Sequence, residues 1–247
     1  MPLCHDRELI RPLLLEDEPG TRGIYNLVFG LTGARVGWIR VDDLKKPRAV
    51  IIRSGAPRRG GFLYLFATSN RTAESLLAEL PGRWKLRFAA TSRRFVRSVR
   101  KFRKINWTGP CYLYVLDPKK LVICRQHRVE RLRPADAPAI ARHWPHGRSV
   151  AYVQWRIAVG PTCAVRRNGK LVAWALTHAD GSMAILHVLE EYRGQGMARS
   201  ITTALAQRIM KRGLMPFLYI VKRNKASICL TESMGFERHG NYCWFGE

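Results

Sequence analysis

Acidic residues are scarce in this sequence. Its 247 residues include 18 Asp and Glu against 43 Lys and Arg, so the formal net charge is +25. Three explanations fit such a surplus: a polyanionic partner such as nucleic acid, an anionic cofactor, or solubility alone. The charge by itself does not choose among them.

Long apolar runs and clustered cysteines are also absent. The most apolar region, 171–189, is interrupted by His178, Asp180 and His187, so we expect no membrane-spanning segment. The six cysteines include no Cys-x-x-Cys pair, which argues against a structural zinc site and a disulfide framework. We therefore predict no metal and mostly buried, reduced thiols.

The first residues show no targeting pattern. Asp6 and Glu8 stand where a signal peptide would have its basic and then apolar regions, and a transit peptide would avoid acidic residues. We expect a cytoplasmic protein.

Strand-like and helix-like segments alternate along the chain. With 47% hydrophobic and 10% aromatic residues, the chain can build a core, and the alternation predicts an α/β protein. We expect two halves, 1–120 and 121–247, joined near Asp117. The predicted strands are 35–41, 49–53, 62–67, 84–90, 111–116, 162–166, 171–177, 183–189, 217–221 and 236–245, and the predicted helices include 69–80, 197–212 and 226–234.

Two local signals refine the second half. Asn168-Gly169 separates two predicted strands and is typical of a two-residue hairpin turn. Pro134 is expected to end a strand, and Asp136 is expected to cap the helix that follows it.

The densest basic segment is 93–104, in which Phe95, Val99 and Phe102 recur at helical spacing. It predicts an amphipathic helix whose cationic face is solvated, binds phosphate, or contacts a macromolecule. The loop predicted at 55–61 carries Arg58 and Arg59 and leaves the same choice between a plain basic loop and a phosphate contact.

The most informative segment runs from Leu189 to Ser200, directly after an apolar strand and before an amphipathic helix. Gly194 and Gly196 let the backbone approach a bulky anion, and the N–H groups of the helix start would hold a phosphate. This arrangement predicts a pyrophosphate cradle.

In these residues the sequence resembles the GNAT superfamily of acyltransferases, whose cofactor motif reads Arg/Gln-x-x-Gly-x-Gly/Ala. The matching residues here are Arg193, Gly194, Gln195, Gly196, Met197 and Ala198. A second mark of the superfamily is a strand, an Asn-initiated helix and a Gly-Phe turn, which segment 219–236 resembles. The implied fold is a mixed, mostly antiparallel sheet with flanking helices, preceded here by a second α/β half that is expected to be a degenerate GNAT-like domain.

A narrower resemblance links about 139–236 to the C-terminal domain of the glycine N-acyltransferases. It is carried by the Pro161-Thr162-Cys163 strand, by Trp174 in the next strand and by the Gly181-Ser182-Met183 segment. The resemblance implies acyl transfer from acetyl-coenzyme A or a longer acyl-coenzyme A to an amine, without a covalent acyl-enzyme. It also leaves the mitochondrial matrix open as a compartment.

The resemblance further assigns the cofactor site. The coenzyme's pyrophosphate would lie on the loop from Arg193 to Ala198, and its pantetheine arm would pair with the strand edge at Leu186 and Val188. Asn224 matches an asparagine that the superfamily keeps near this arm, although it is equally suited to cap a helix.

The catalytic residues depart from the family pattern. Ser182 stands where vertebrate glycine acyltransferases carry a glutamate base, and Thr231 stands where many superfamily members have a tyrosine that protonates the leaving thiolate. The candidates are Ser182, which could hold a water that relays the proton, and His187. Strand alternation places His187 on the face opposite Ser182 unless a bulge intervenes.

We therefore expect an N-acyltransferase whose acceptor is a small, anionic amine such as glycine or another amino acid, because a cationic field attracts carboxylates and phosphates and repels polyamines. The alternative is a GNAT-fold protein that acylates or binds a nucleic-acid or ribosome-associated target. The two differ in whether nucleic acid co-purifies and whether thiol is released with amino-acid acceptors.

Overall fold

A computed structural model describes residues 1–55, 61–144 and 149–247, so Arg58, Arg59 and most of the loop predicted at 55–61 lie outside it. The described chain forms two compact units. One comprises Met1–Leu113, Tyr219–Arg223 and His239–Glu247, and the other comprises Tyr114–Leu218 and Asn224–Arg238. No helix in the described ranges is both long and apolar enough to cross a membrane.

Helices and strands alternate as the pattern predicts, except that the strand expected to end at Pro134 is reduced to an isolated bridge between Glu130 and Ala164. The helices are α1 (Arg11–Leu15), α2 (Arg22–Val28), α3 (Asn70–Ala78), α4 (Arg94–Arg100), α5 (Ala137–His143), α6 (Val150–Val159), α7 (Met197–Met210) and α8 (Lys225–Ser233). The strands are β1 (Val36–Val41), β2 (Ala49–Ser54), β3 (Leu63–Ala67), β4 (Arg87–Ser92), β5 (Trp107–Leu116), β6 (Thr162–Arg167), β7 (Lys170–Thr177), β8 (Met183–Val188), β9 (Phe217–Val221) and β10 (Phe236–Gly246).

The first unit is built on a sheet whose order, in the described residues, is β1-β2-β3-β4-β10-β5-β9. β1, β2 and β3 pair antiparallel, β4 pairs antiparallel with β10, and β3 pairs parallel with β4. The core contains Leu76, Phe88, Phe95 and Phe245, and the Phe88 and Phe245 rings stack with centroids 4.7 Å apart.

The second unit contains the antiparallel sheet β6-β7-β8. The predicted hairpin turn joins β6 to β7, and Asn168 and Gly169 take the positive φ values of 48° and 77° that this turn requires. Trp174 of β7 is buried in a core that includes Ile140 of α5 and Val153 of α6. α7 packs against all three strands.

The expected mixed, mostly antiparallel architecture with flanking helices is confirmed. The first change of unit, between Leu113 and Tyr114, lies close to the join predicted near Asp117. Most of β9 and β10, which fall in the predicted second half 121–247, belong to the first unit instead. That 1–120 is a degenerate GNAT-like domain remains a prediction.

Asp136 does not cap α5, so this prediction is wrong. Its Oδ2 accepts hydrogen bonds from the Arg133 N–H at 2.7 Å and from Arg166 Nη2 at 2.6 Å, and a 3-10 turn, Pro134–Asp136, leads into the helix. The side chains of Asp136 and Arg166 are only 9% and 10% exposed. The carboxylate is therefore the counter-ion of a largely buried arginine.

We predict that Asp136→Ala lowers the free energy of unfolding by about 3 kcal/mol, because the largely buried Arg166 guanidinium loses the carboxylate at 2.6 Å and keeps only Glu130, 3.6 Å from its Nε, as a counter-ion. The control Glu237→Ala removes the exposed pair with Lys120 and should cost less than about 0.5 kcal/mol. Urea unfolding of both variants measures the difference. Equal midpoints would contradict a structural role for the Asp136–Arg166 pair.

Candidate functional site

The loop between β8 and α7 presents backbone N–H groups at a helix start. Gly194 and Gly196 have φ values of 76° and 78°, which glycine adopts without the steric cost that a Cβ brings. The Ser200 N–H donates to the Gly196 carbonyl at 3.1 Å, so the N–H groups of Met197 and Ala198 precede the first helical hydrogen bond. No side chain in the described residues caps this terminus, and the positive end of the helix dipole lies there.

The two glycines have different surroundings. A Cβ on Gly194 would meet nothing within 4 Å, whereas a Cβ on Gly196 would lie 1.9 Å from Gln126 Oε1. Gly194 therefore faces open space, and Gly196 is packed against Gln126, in the chain segment between β5 and α5. A bulky residue at Gly196 would displace Gln126 before it met any ligand.

A series of hydrogen bonds connects this segment to the loop between β8 and α7. Arg167 Nη2 donates to His127 Nδ1 at 2.8 Å, and His127 Nε2 lies 2.5 Å from the Gln195 carbonyl oxygen. Because arginine can only donate, the network assigns the proton of the neutral imidazole to Nε2, which donates to Gln195. Sequence reasoning missed Gln126 and His127, since no periodicity connects residues 126–127 to residue 195.

The same segment and α7 line an open cavity of about 320 Å³. The Cys124 N–H donates to Thr203 Oγ1 at 3.0 Å, which fixes the segment on the helix. The cationic side chains that line the cavity are Arg125, Arg208 and Lys211. Arg208 is used for structure, because its guanidinium donates to the backbone carbonyls of residues 129, 130 and 162.

β8 is the edge strand of the three-stranded sheet and contains a bulge. Trp174 pairs with His187 and Leu176 with Ala184, so β8 has one more residue than β7 between the two pairs. Ile185 lies in the bulge with φ 51°.

Beyond the bulge, the strand directs polar backbone groups outward. The Leu189 N–H donates to the Val172 carbonyl in β7. Because successive residues of a strand direct their N–H and C=O groups to opposite sides, the backbone groups of Val188 point away from β7. The Val188 carbonyl accepts a hydrogen bond from Arg193 Nε at 3.3 Å. Leu186 is exposed on the same edge.

The bulge decides the position of His187. Both Leu176 and Trp174 contribute to the core under α5 and α6, so their partners Ala184 and His187 lie on that face, and alternation places Ser182 there as well. The His187 ring stacks on Trp174 with centroids 4.8 Å apart. The bulge therefore places His187 on the same face of the sheet as Ser182, whereas regular alternation would have placed the two on opposite faces.

A second imidazole lies beside His187. The His143 ring centroid is 5.0 Å from that of His187, and His143 Nδ1 is 2.9 Å from the Ala139 carbonyl oxygen, which fixes the neutral tautomer with its proton on Nδ1. Burial lowers the pKa of His187 below its ordinary value, and the neighbouring His143 and Arg193 lower it further. Neutral His187 therefore persists to lower pH than an exposed histidine. No periodic signal marks His143, the last residue of α5.

Ser182 is buried and engaged. Its Oγ donates to Asp180 Oδ1 at 2.6 Å, and its backbone N–H donates to the same oxygen at 2.9 Å. The neighbouring turn is polar, with Tyr152 Oη 3.0 Å from His178 Nδ1. This arrangement closes the turn between β7 and β8.

Asn224 caps α8, because its Oδ1 accepts from the Ser227 N–H at 3.1 Å. Arg199 of α7 donates to Ser233 of α8 at 2.8 Å, which ties the two helices together. Thr231, at the position of the superfamily's tyrosine, is buried in α8. In the described ranges, no group of His, Cys, Asp and Glu is arranged to hold a metal ion.

Three comparisons place this fold among known proteins. Residues 163–245 match the model of the FR47-like protein family. Glycine N-acyltransferase from Bos taurus is 26% identical over 111 residues, which cover 43% of this chain and 38% of that protein. The matched region is thus well under half of the curated relative's length.

Solved structures resemble the chain over nearly its whole length. A Drosophila protein has a TM-score of 0.80 at 17% identity, covering 99% of this chain and 97% of its own. A GCN5-related N-acetyltransferase-like protein from Streptococcus suis has a TM-score of 0.59 at 17% identity, covering 97% and 98%. Residues 163–245 are therefore similar to the FR47-like protein family, and the chain shares its fold with the GCN5-related N-acetyltransferase-like protein.

Proposed function

We propose that this protein is an N-acyltransferase that moves an acyl group from acyl-coenzyme A to the amine of a small, anionic acceptor such as glycine or another amino acid. The observation that carries the proposal is the backbone cradle at Gly194–Ala198, with its left-handed glycines at an uncapped helix start. The family match and the similarity to a glycine N-acyltransferase support the same chemistry.

The described residues fit coenzyme A. The N–H groups of Gly196, Met197 and Ala198 are suited to the pyrophosphate, and Gly194 leaves the approach open. The outward backbone of Leu186 and Val188 offers hydrogen bonds to the amide groups of the pantetheine arm. Asn224, which caps α8, is assigned to this arm only by its match to the superfamily's asparagine. When bound, acyl-coenzyme A supplies an activated thioester.

His187 is the proton acceptor in this proposal. It lies on the bulged edge strand that holds the pantetheine arm, and its lowered pKa keeps it neutral at physiological pH. An acceptor ammonium must lose a proton before it attacks, and a positioned imidazole takes that proton. Ser182 is less suited, because its hydroxyl already donates to Asp180.

The acceptor class follows from the charge. A net charge of +25 raises the local concentration of anions and disfavours cationic acceptors. It also favours loss of the proton from a bound ammonium, since nearby cations lower the pKa of an amine.

A thiol-release screen tests the proposed reaction. Acetyl, longer aliphatic and aromatic thioesters of coenzyme A are combined with the standard amino acids and with spermidine as a cationic acceptor. We expect thiol release with amino acids and an acylated product in mass spectra. Release with spermidine alone would contradict the acceptor class, and the absence of release with every pair would contradict the reaction.

We predict that Gly194→Ala weakens coenzyme A binding by at least tenfold, measured by calorimetry. The Cβ would stand on the open side of the cradle, and the residue would be forced into left-handed backbone at a cost of about 1–2 kcal/mol.

Gly169→Ala is the matched control, because Gly169 has φ 77° and open space around its Cβ position but lies in a hairpin turn. It should lose similar stability and retain affinity. Equal affinity losses in the two variants would show that backbone strain, and not the cradle, determines binding.

We predict that the rate of the wild-type protein reaches a plateau near neutral pH, with an acidic limb below the ordinary pKa of histidine. The base must be neutral, and a lowered pKa moves the limb to lower pH. His187→Gln should reduce kcat by about a hundredfold. His143→Gln should move the limb to higher pH, because it removes a neighbour that lowers the pKa of His187.

His5→Gln changes an exposed histidine of the first unit and should leave the profile unchanged. Ser182→Glu should give no gain, because it places a carboxylate against buried Asp180. A rate that climbs without a plateau in the wild type, together with a gain in Ser182→Glu, would reject His187 as the base.

A further inference from the structure

The open cavity beside α7 has no part in the proposed acyl transfer. It lies within the second unit, between α7 and the segment 124–129, and has a volume of about 320 Å³. No residue of the turn from Arg193 to Ala198 lines it, and neither does Gln126, which packs against Gly196. The cavity is therefore separate from the cradle that we assign to coenzyme A. We call it the α7 groove.

One stripe of α7 forms the floor of the groove. The helix residues that line it recur at spacings of three and four, and they are Ser200, Thr203, Ala204, Gln207 and Lys211. At about 1.5 Å per residue this stripe is about 16 Å long. A space of this length and volume suits a small organic molecule better than a single inorganic ion.

The permanently charged side chains that line the groove are all cationic. They are Arg125, Arg208 and Lys211, and among the described residues no Asp or Glu lines the groove. Clefts lined by charges of one sign raise the local concentration of ligands of the opposite sign. The α7 groove therefore favours anions and disfavours cations.

Three of the polar groups in the groove are available to a ligand. In residues 1–55, 61–144 and 149–247, no carboxylate lies within 4 Å of the Arg125 guanidinium or the Lys211 ammonium. The half-buried Gln207 amide likewise has no hydrogen bond to another described residue. Arg208 differs, because its guanidinium is bonded to three backbone carbonyls.

The two available cations belong to opposite ends of the stripe. Arg125 follows Cys124, whose Sγ lies 3.6 Å from Ser200 Oγ in the first turn of α7. Lys211 directly follows the last residue of α7, and Gln207 lies one turn before it. A ligand with a single charged group would engage one end, whereas a ligand with charged groups spaced along it would engage both.

We propose that the α7 groove binds a small organic anion that carries at least two phosphate or carboxylate groups. Arg125 and Lys211 bind the charged groups, and Gln207 hydrogen-bonds to the ligand between them. Val129 and Ala204, which also line the groove, contact its apolar part. This binding does not depend on the acyl transfer proposed above.

Alkylation of Cys124 by N-ethylmaleimide, followed by mass spectrometry of the full chain, reports whether the groove is occupied. Cys124 lines the groove and is partly exposed, and a Cys229→Ser background removes the exposed cysteine of α8. The probes, at constant ionic strength, are inorganic tripolyphosphate and citrate, with acetate and spermidine as controls.

We expect saturating tripolyphosphate or citrate to slow the alkylation of Cys124 about fivefold or more, because the reagent needs the empty groove. Acetate and spermidine should leave the rate unchanged. The probe that protects at the lower concentration identifies the preferred charged group. Absence of protection by both polyanions, or equal protection by acetate, would overturn the proposal.

The double variant Arg125→Gln, Lys211→Gln should raise the half-protecting concentration about tenfold or more, because it removes both charge-assisted contacts. The control Lys119→Gln, Lys170→Gln removes the same charge from exposed positions of the same unit outside the groove and should have little effect. Equal losses in the two double variants would show that net charge, and not the groove, attracts the probes.

Ala204→Trp fills the groove and should abolish protection, whereas Ala158→Trp, at an exposed position of α6, should not. The charge variants alter exposed side chains only, so their comparison still decides the matter if Ala204→Trp does not fold by circular dichroism. Protection that persists in a folded Ala204→Trp variant would overturn the proposal.

Coenzyme A distinguishes a separate site from an extension of the cradle. Added alone, it should leave the alkylation of Cys124 unchanged, and tripolyphosphate should still protect when coenzyme A is saturating. Protection by coenzyme A alone, or loss of the tripolyphosphate effect in its presence, would assign the groove to the cofactor and overturn the proposal. None of these measurements requires turnover, so their outcome is independent of whether the chain transfers an acyl group.

Discussion

The geometry of the candidate site depends on one backbone feature, the left-handed turn at Gly194 and Gly196 that starts α7. It turns the chain from an edge strand into a helix and leaves the first helical N–H groups facing outward. The segment between β5 and α5 stabilises the turn. Its His127 hydrogen-bonds both to Arg167 and to the Gln195 carbonyl, and its Gln126 packs against Gly196. These contacts hold the turn in place without a ligand, which would lower the entropic cost of the proposed anion binding.

The second constraint is the bulge in β8. One extra residue between Ala184 and His187 changes the face on which His187 lies and stacks its ring on Trp174. The same strand edge that offers hydrogen bonds to an extended ligand therefore also carries an imidazole with a lowered pKa. The bulge in β8 therefore determines where the imidazole lies relative to the strand edge.

Local sequence signals predicted much of this arrangement, and tertiary contacts supplied the rest. The glycine turn before α7 and the Asn168-Gly169 hairpin were predictable, because glycine and asparagine mark backbone that other residues avoid. The bulge was foreseen only as an alternative, since no residue type signals it. His143 and His127 were missed because their roles depend on contacts with distant segments, and Asp136 was misassigned because its partner, Arg166, lies thirty residues away.

Amide chemical shifts offer the most direct test of the central claim, that coenzyme A binds at the turn before α7. In a titration of the isotope-labelled protein with coenzyme A, followed by two-dimensional amide spectra, we expect the largest shifts at Gly194, Gly196, Met197 and Ala198, with smaller ones at Leu186 and Val188. The amides of α4 should move little. Saturable binding that shifts α4 amides and leaves Gly194–Ala198 unchanged would show that coenzyme A does not bind at the turn before α7.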